Sequence, residues 1–390
     1  MMHSTDFDSI ELGPPLKKEV EARQLQESTR AQLPSVIETT AEDGATSSKA
    51  SFSIGTPWIL PAVVTLPYAL AHLSWPGALL LLLGGAVVVW YVADSLPFNP
   101  KQHDRSPVLQ SFRWAFEYTL LTVGAVILGV LAQQIQYDGT DAYVWTLTSW
   151  ISLSGTALLL FSLLPFHHWY AVSLWTAMVG LVLLVVALSQ AIADREDNTA
   201  VGSSVLDSFT SLGIVAFAVA GPFVASQEEQ QQSHARLCYA AIILCYVVLA
   251  VLGYAAFGRT VSIVVIDDLR YFTSLGLVQW TRIFIWIHLA SLGSEMLQRI
   301  LYLERRILIV MTCTFSAVAL PYIGEWIALA GAMNLTPWIW MLWHHDPVDH
   351  PEWKRGVRWS VLTILVVVGA LALIGAIDGM VHNASSYRFF

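Results

Sequence analysis

Eleven apolar stretches constrain this chain more than any other feature of its sequence. They run Phe52–His72, Gly77–Leu96, Phe112–Gln136, Val144–Leu164, Trp169–Ile192, Ser208–Glu229, Leu237–Phe257, Ser274–Leu297, Ile307–Leu320, Ile323–Trp343 and Trp359–Ile377. Hydrocarbon offers no partner to a peptide group, so such stretches cross a bilayer as helices. Most reach the roughly 20 residues a bilayer core requires; the ninth is short and must borrow from its flanks. The expected fold is therefore an all-α polytopic membrane protein with about eleven transmembrane helices. Only 13% of the 390 residues are charged, against roughly 25% in soluble domains. A net charge of −9 offers no basic stripe for nucleic acid. The three cysteines all fall inside apolar stretches and form no disulfide framework or zinc spacing.

Residues 1–50 are polar, with nine acids against five Lys/Arg, and are read as a disordered tail. Residues 51–390 form the membrane domain. With the amino terminus in the cytosol, fifteen of the twenty Lys/Arg fall on the inner side. That bias predicts a cytosolic amino terminus and, after eleven crossings, a carboxyl terminus on the opposite side. The host membrane is left open between plasma membrane and vacuolar or other endomembrane.

Spans one and six each carry prolines where a helix should be continuous. Span one contains Pro57, Pro61 and Pro67, and span six runs Ala216-Phe217-Ala218-Val219-Ala220-Gly221-Pro222. Proline lacks an amide hydrogen and clashes with the carbonyl four residues back, while glycine accepts angles other residues resist. Unwound backbone is tolerable in a membrane only where it meets protein or a watery cavity, so a broken span points to a solute site. A plain proline kink is the other reading. Spans one and six each open a group of five, and interrupted helices at matching positions of two halves point to inverted repeats.

The residues themselves resemble the amino acid/auxin permease family, nearest its plant-type lysine/histidine transporter branch. The likeness is carried by Leu66-Pro67-Tyr68-Ala69 followed by Leu73-Ser74-Trp75-Pro76-Gly77, and by Ser208–Gly213 leading into Ala216–Gly221. Gly253-Tyr254-Ala255-Ala256-Phe257-Gly258 and Leu320-Pro321-Tyr322-Ile323-Gly324 complete it. It covers roughly residues 52–390. The resemblance implies a five-plus-five inverted repeat of the leucine-transporter type with an extra C-terminal helix. It further implies proton-coupled symport of small-molecule amino acids by alternating access. The implied substrate site lies at the midplane between broken spans one and six: Ala62, Thr65, Leu66 and Tyr68 with Phe217, Ala218, Val219, Ala220 and Gly221. No cofactor is implied beyond a proton gradient. The sequence departs from the family pattern where its span-one glycines become Leu60, Ala62 and Thr65, whose bulk narrows the site. In span six the family's polar pair after the glycine is replaced by Pro222-Phe223.

Ionisable groups inside spans are costly and therefore candidates for function. Span eight supplies His288 and Glu295 as candidate proton-coupling groups. Each has a plainer alternative: a hydrogen-bonded packing histidine, and a helix-face ion pair between Glu295 and Arg299 at i, i+4. Gln133 and Gln134 in span three are candidate site walls or packing residues. His344-His345-Asp346-Pro347-Val348-Asp349-His350 fits no regular metal-ligand spacing and is read as a solvated loop, so no metal is expected. No serine-histidine-acid, phosphate-loop or dinucleotide motif is present, and an enzyme is not expected. The expected function is secondary active transport; the alternative is a non-transporting amino acid sensor or regulatory scaffold on the same fold.

Overall fold

The computed structural model describes residues 59–95, 107–137, 145–164, 169–193, 205–226, 232–298, 300, 302–344 and 352–384. Among these residues the chain is helical and holds no strand. Span one comprises α1 (Ile59–Val63) and α2 (Leu66–His72), followed by α3 (Trp75–Ser95), α4 (Pro107–Tyr137), α5 (Leu147–Leu163) and α6 (Trp169–Ala193). Span six is α7 (Val205–Ser226) and span seven α8 (Gln232–Phe257). A short helix, α9 (Val265–Leu269), precedes span eight, α10 (Leu275–Gln298). Then come α11 (Leu303–Ala319), α12 (Ile323–His344) and α13 (Glu352–Ala384). Every expected span thus has a helical counterpart, and five helices are long and apolar enough to cross a bilayer unaided. The exposed surface carries large apolar side chains such as Leu80, Val87, Trp175, Phe315 and Val381. Water would penalise such a surface and lipid does not, so the chain is an integral membrane protein.

The helices pair as two halves of five. Span one packs on span seven, and span six packs in the same way on span two. Span three packs on span nine, and span eight packs likewise on span four. Span five lies along span eight, and span ten along span three. In these three cases a packing has its counterpart five helices on, as the order of the spans leads one to expect.

Small residues set the closest approaches, as in membrane bundles generally, where backbones must come near for dispersion to act. A Cβ on Gly213 of α7 would lie 2.6 Å from the Ala328 Cα of α12, and one on Gly331 would lie 2.8 Å from the Phe217 amide nitrogen. A Cβ on Gly375 of α13 would meet Phe209 at 2.7 Å. Span six is thus clamped between spans ten and eleven. At the far end of the bundle Arg306 gathers helix ends. Its guanidinium donates to the carbonyls of Ile300 (2.6 Å), Ser162 (3.1 Å) and Gln298 (3.1 Å). The last carbonyls of a helix lack intrahelical donors and carry partial negative charge, and a forked cation answers both needs.

The tail, residues 1–50, lies outside the described residues. So do Arg299, and with it the expected pair with Glu295, and 345–350 of the histidine-rich segment. His344 itself stacks on Trp340 at 4.4 Å, with its Nδ1 3.0 Å from the Trp340 carbonyl. Among the described residues no cluster of three metal-ligating side chains occurs.

Candidate functional site

Two prolines six residues apart remove two amide donors from one short span, and span one breaks between them. Helix α1 ends at Val63, a turn follows at Val64 and Thr65, and α2 begins at Leu66. The break faces protein rather than lipid, because every residue from Leu60 to Ala71 is buried. Its backbone finds local partners. The Val64 amide donates to the Leu60 carbonyl (3.1 Å), and the Thr65 amide to that of Ala62 (3.2 Å). The Thr65 hydroxyl turns back on the same helix, toward the carbonyls of Pro61 (3.1 Å) and Ala62 (3.2 Å). Pro67 fits against span seven because residue 253 has no side chain: a Cβ there would lie 2.7 Å from the Pro67 Cβ.

One contact at the break comes from far along the chain. The Val265 amide, at the start of α9, donates to the Val64 carbonyl at 2.9 Å. Val265, Ile266 and Leu269 are buried, so the α8–α10 connection descends into the bundle as a plug over the break. Its own geometry is fixed by Asp268, which accepts from the Ser262 amide (2.7 Å) and hydroxyl (2.8 Å).

Span six does not break. Helix α7 runs without interruption from Val205 through Gly221 and Pro222 to Ser226, which corrects the expectation of two broken spans. A lone proline deletes one hydrogen bond and disturbs the carbonyls three and four residues back, here Val219 and Ala218. The Tyr239 hydroxyl of span seven donates to the Val219 carbonyl at 3.1 Å. That bond ties span six to span seven one residue along from the carbonyl that Pro222 deprives of its donor, and the proline sits inside a continuous helix.

The expected site residues are brought together in part. Ala62, Thr65, Leu66 and Tyr68 lie on α1 and α2 or in the turn between them, and both helices pack on α7. Phe217, Ala218, Val219 and Ala220 of α7 are buried. Gly221 is helical, and its surroundings lie outside the described residues. At the rim the two spans are joined directly. The Ser208 hydroxyl donates to the His72 carbonyl (3.1 Å), and His72 Nδ1 lies 3.8 Å from Asp207. Tyr68 stacks on His72 at 4.1 Å, and Glu325 nearby accepts from the Asn383 amide at 2.7 Å. An apolar cavity of about 200 Å³, lined by Ala132, Ile135, Gln136, Trp150 and Trp286, lies elsewhere, between spans three, four and eight.

His288 is fully buried between spans five and eight, its Nδ1 2.8 Å from the Ser173 carbonyl and 3.1 Å from the Ser173 hydroxyl. Its Nε2 makes no hydrogen bond among the described residues. Glu295 lies two turns further along α10, half-buried.

Two groups escaped the sequence reading. Arg282, one of the five Lys/Arg left for the outer side, sits inside α10 at 1% exposure. Asp267 of the plug accepts from the Gln134 side-chain amide of span three and lies in the field of Arg282. An arginine within an apolar run was the available signal for the first; nothing local distinguished the second from an ordinary loop acid.

A membrane-embedded helical bundle paired in two halves, with its first span broken under a plug, has the build of a membrane transporter. The relatives agree. GABA transporter 1 of Arabidopsis thaliana is 21% identical over 416 residues, covering 87% of this chain and 91% of its own. Lysine histidine transporter-like 1 of the same plant is 22% identical over 406 residues, covering 86% and 88%. Both bear out the amino acid/auxin permease resemblance carried by the motifs. No family model matches the chain. Among solved structures, a manganese transporter of Eremococcus coleocola aligns with a TM-score of 0.49 at 12% identity, over 85% of this chain and 87% of its own. Mhp1 in its inward-facing conformation aligns with a TM-score of 0.43 at 13% identity, over 87% and 92%.

Proposed function

We propose that this chain is a secondary active transporter that carries amino acids across a membrane together with protons. The observation that carries the proposal is the buried break in span one, where the Thr65 amide turns to the Ala62 carbonyl and the Val64 carbonyl accepts from outside its own helix, against the wall formed by α7. Freed carbonyls and a half-helix start are what a zwitterion with one ammonium and one carboxylate recognises. The relatives are named for GABA, lysine and histidine, and amino acids are the substrate class that fits both. Loading takes place on the face of the break toward Phe217 and Ala218, with Tyr68, His72 and Asp207 at the rim. With the amino terminus cytosolic, the plug between α8 and α10 faces the outside. His288 and Glu295 are the coupling candidates on span eight.

Purified protein in vesicles, given an imposed pH gradient and a panel including GABA, lysine and histidine, provides the test. Saturable, gradient-driven uptake of at least one compound is expected. Absence of both net flux and exchange, from protein shown to be folded, would refute the transport proposal. A sensor without flux is the second reading, favoured by Leu60, Ala62 and Thr65 filling the break and by the Thr65 hydroxyl being spent on its own helix. Saturable binding with no flux would decide for it.

A further inference from the structure

We propose that Asp267, on the plug between α8 and α10, is a proton-binding site through which closure over the span-one break is coupled to the proton gradient. This rests on the transport reading above and names a residue that reading does not use.

Two hydrogen bonds, and the field of one buried cation, place Asp267 at the hinge between the gradient and the site. Two residues before it, the Val265 amide holds the Val64 carbonyl at 2.9 Å. A substrate ammonium seeking that carbonyl meets the Val265 amide already there, so loading requires the plug to move. The plug is in turn held by the carboxyl of Asp267, which accepts from the Gln134 amide and lies near the buried guanidinium of Arg282. Span three thus holds the plug through one titratable group, which lies in the field of Arg282 on span eight. The other charges facing it are Asp268 and Arg270 on its own segment. Helix α6, which also packs on α9, contains no acidic or basic residue between 169 and 193.

The sign follows from burial. Loss of water around the carboxyl, offset in part by Gln134 and Arg282, raises its pKa from the ordinary value to about 6. An open, hydrated plug returns it to the usual aspartate range near ~4. Closure therefore raises proton affinity, and by linkage a lower pH on the plug side favours closure. A proton taken up there leaves only as the plug reopens, which ties movement of the plug to the pH on its own side.

The test uses full-length protein in vesicles with an amino acid that the wild-type chain transports. Asp267→Asn imitates the protonated group. Gradient-driven accumulation should fall at least tenfold while substrate counterflow without a gradient persists, and Asp267→Glu should restore gradient dependence. Accumulation equal to wild type, or joint loss of accumulation and counterflow, would overturn the proposal; the second result would make Asp267 purely structural. If the wild-type chain shows no flux, the transport reading fails first and the latch is tested by amide hydrogen exchange of residues 261–273. Protection, corrected for intrinsic exchange, should increase as pH falls through about 6 in wild type and be pH-independent in Asp267→Asn. A flat wild-type profile would reject the latch.

Discussion

Replacing Gly253 by alanine tests how the broken span is seated. The added Cβ would lie 2.7 Å from the Pro67 Cβ, whereas carbon atoms rest at about 3.5–4.0 Å. Either Pro67 or span seven must therefore yield by roughly 1 Å. The proline ring cannot rotate away, and the residues around it are buried from Leu60 to Ala71. Over-packing of this kind costs about 1–3 kcal/mol, and replacing a mid-helix glycine returns roughly 0.5–1 kcal/mol. The net, about 1–2 kcal/mol, corresponds to about a 5- to 30-fold weakening of the closed packing. Gly84→Ala provides the comparison, because it also lies mid-helix and a Cβ there meets nothing within 4 Å. Thermal unfolding in detergent and uptake kinetics are the assays. Gly253→Ala should lower the melting temperature and raise KM by that factor, and Gly84→Ala should do neither. If the two variants behave alike, Pro67 is not seated by the missing side chain, and the account of the break is wrong.

Other perturbations follow from single contacts. Tyr239→Phe removes the hydroxyl that bonds the Val219 carbonyl beside Pro222 and should cost about 0.5–1.5 kcal/mol, read as a lower melting temperature with expression retained. Arg306→Ala should destabilise by about 1.5–3 kcal/mol in the same assay, and Arg306→Lys should not rescue it, because three carbonyls in different directions need a fork. Gly331→Ala should separate spans six and ten and reduce folded yield in size-exclusion chromatography, since its Cβ would meet backbone rather than a movable side chain. Because Asp267 holds its proton more tightly in the folded protein, its stabilising contribution is present at low pH and is lost as pH rises through about 6. Melting temperatures of wild type and Asp267→Asn should accordingly diverge as pH rises from about 4 to about 7.

How far the sequence discloses the fold depends on how local each cause is. The spans are legible because hydrocarbon leaves no alternative to helices, and the five-plus-five pairing because the order of spans constrains which can meet. The break in span one is legible for the same kind of reason: Pro61 and Pro67 delete two donors within two turns, more than a short helix can absorb from within. Span six looks similar on paper and behaves differently. Its one proline deletes a single donor, and the turn beside it is tied to another helix by the hydroxyl of Tyr239 on the Val219 carbonyl. No window around Pro222 contains that information. The plug was hidden for the opposite reason, since Asp267 reads as an ordinary loop acid and matters only because the α8–α10 connection descends far enough to bring it into the field of Arg282. Gly253 shows both sides at once. Its place in Gly253-Tyr254-Ala255-Ala256-Phe257-Gly258 marks it as part of a motif, but the reason for a glycine there is the ring of a proline in the first span. What the sequence withholds is therefore of one kind: partners supplied across the bundle, which decide whether a local weakness becomes an opening or is sealed.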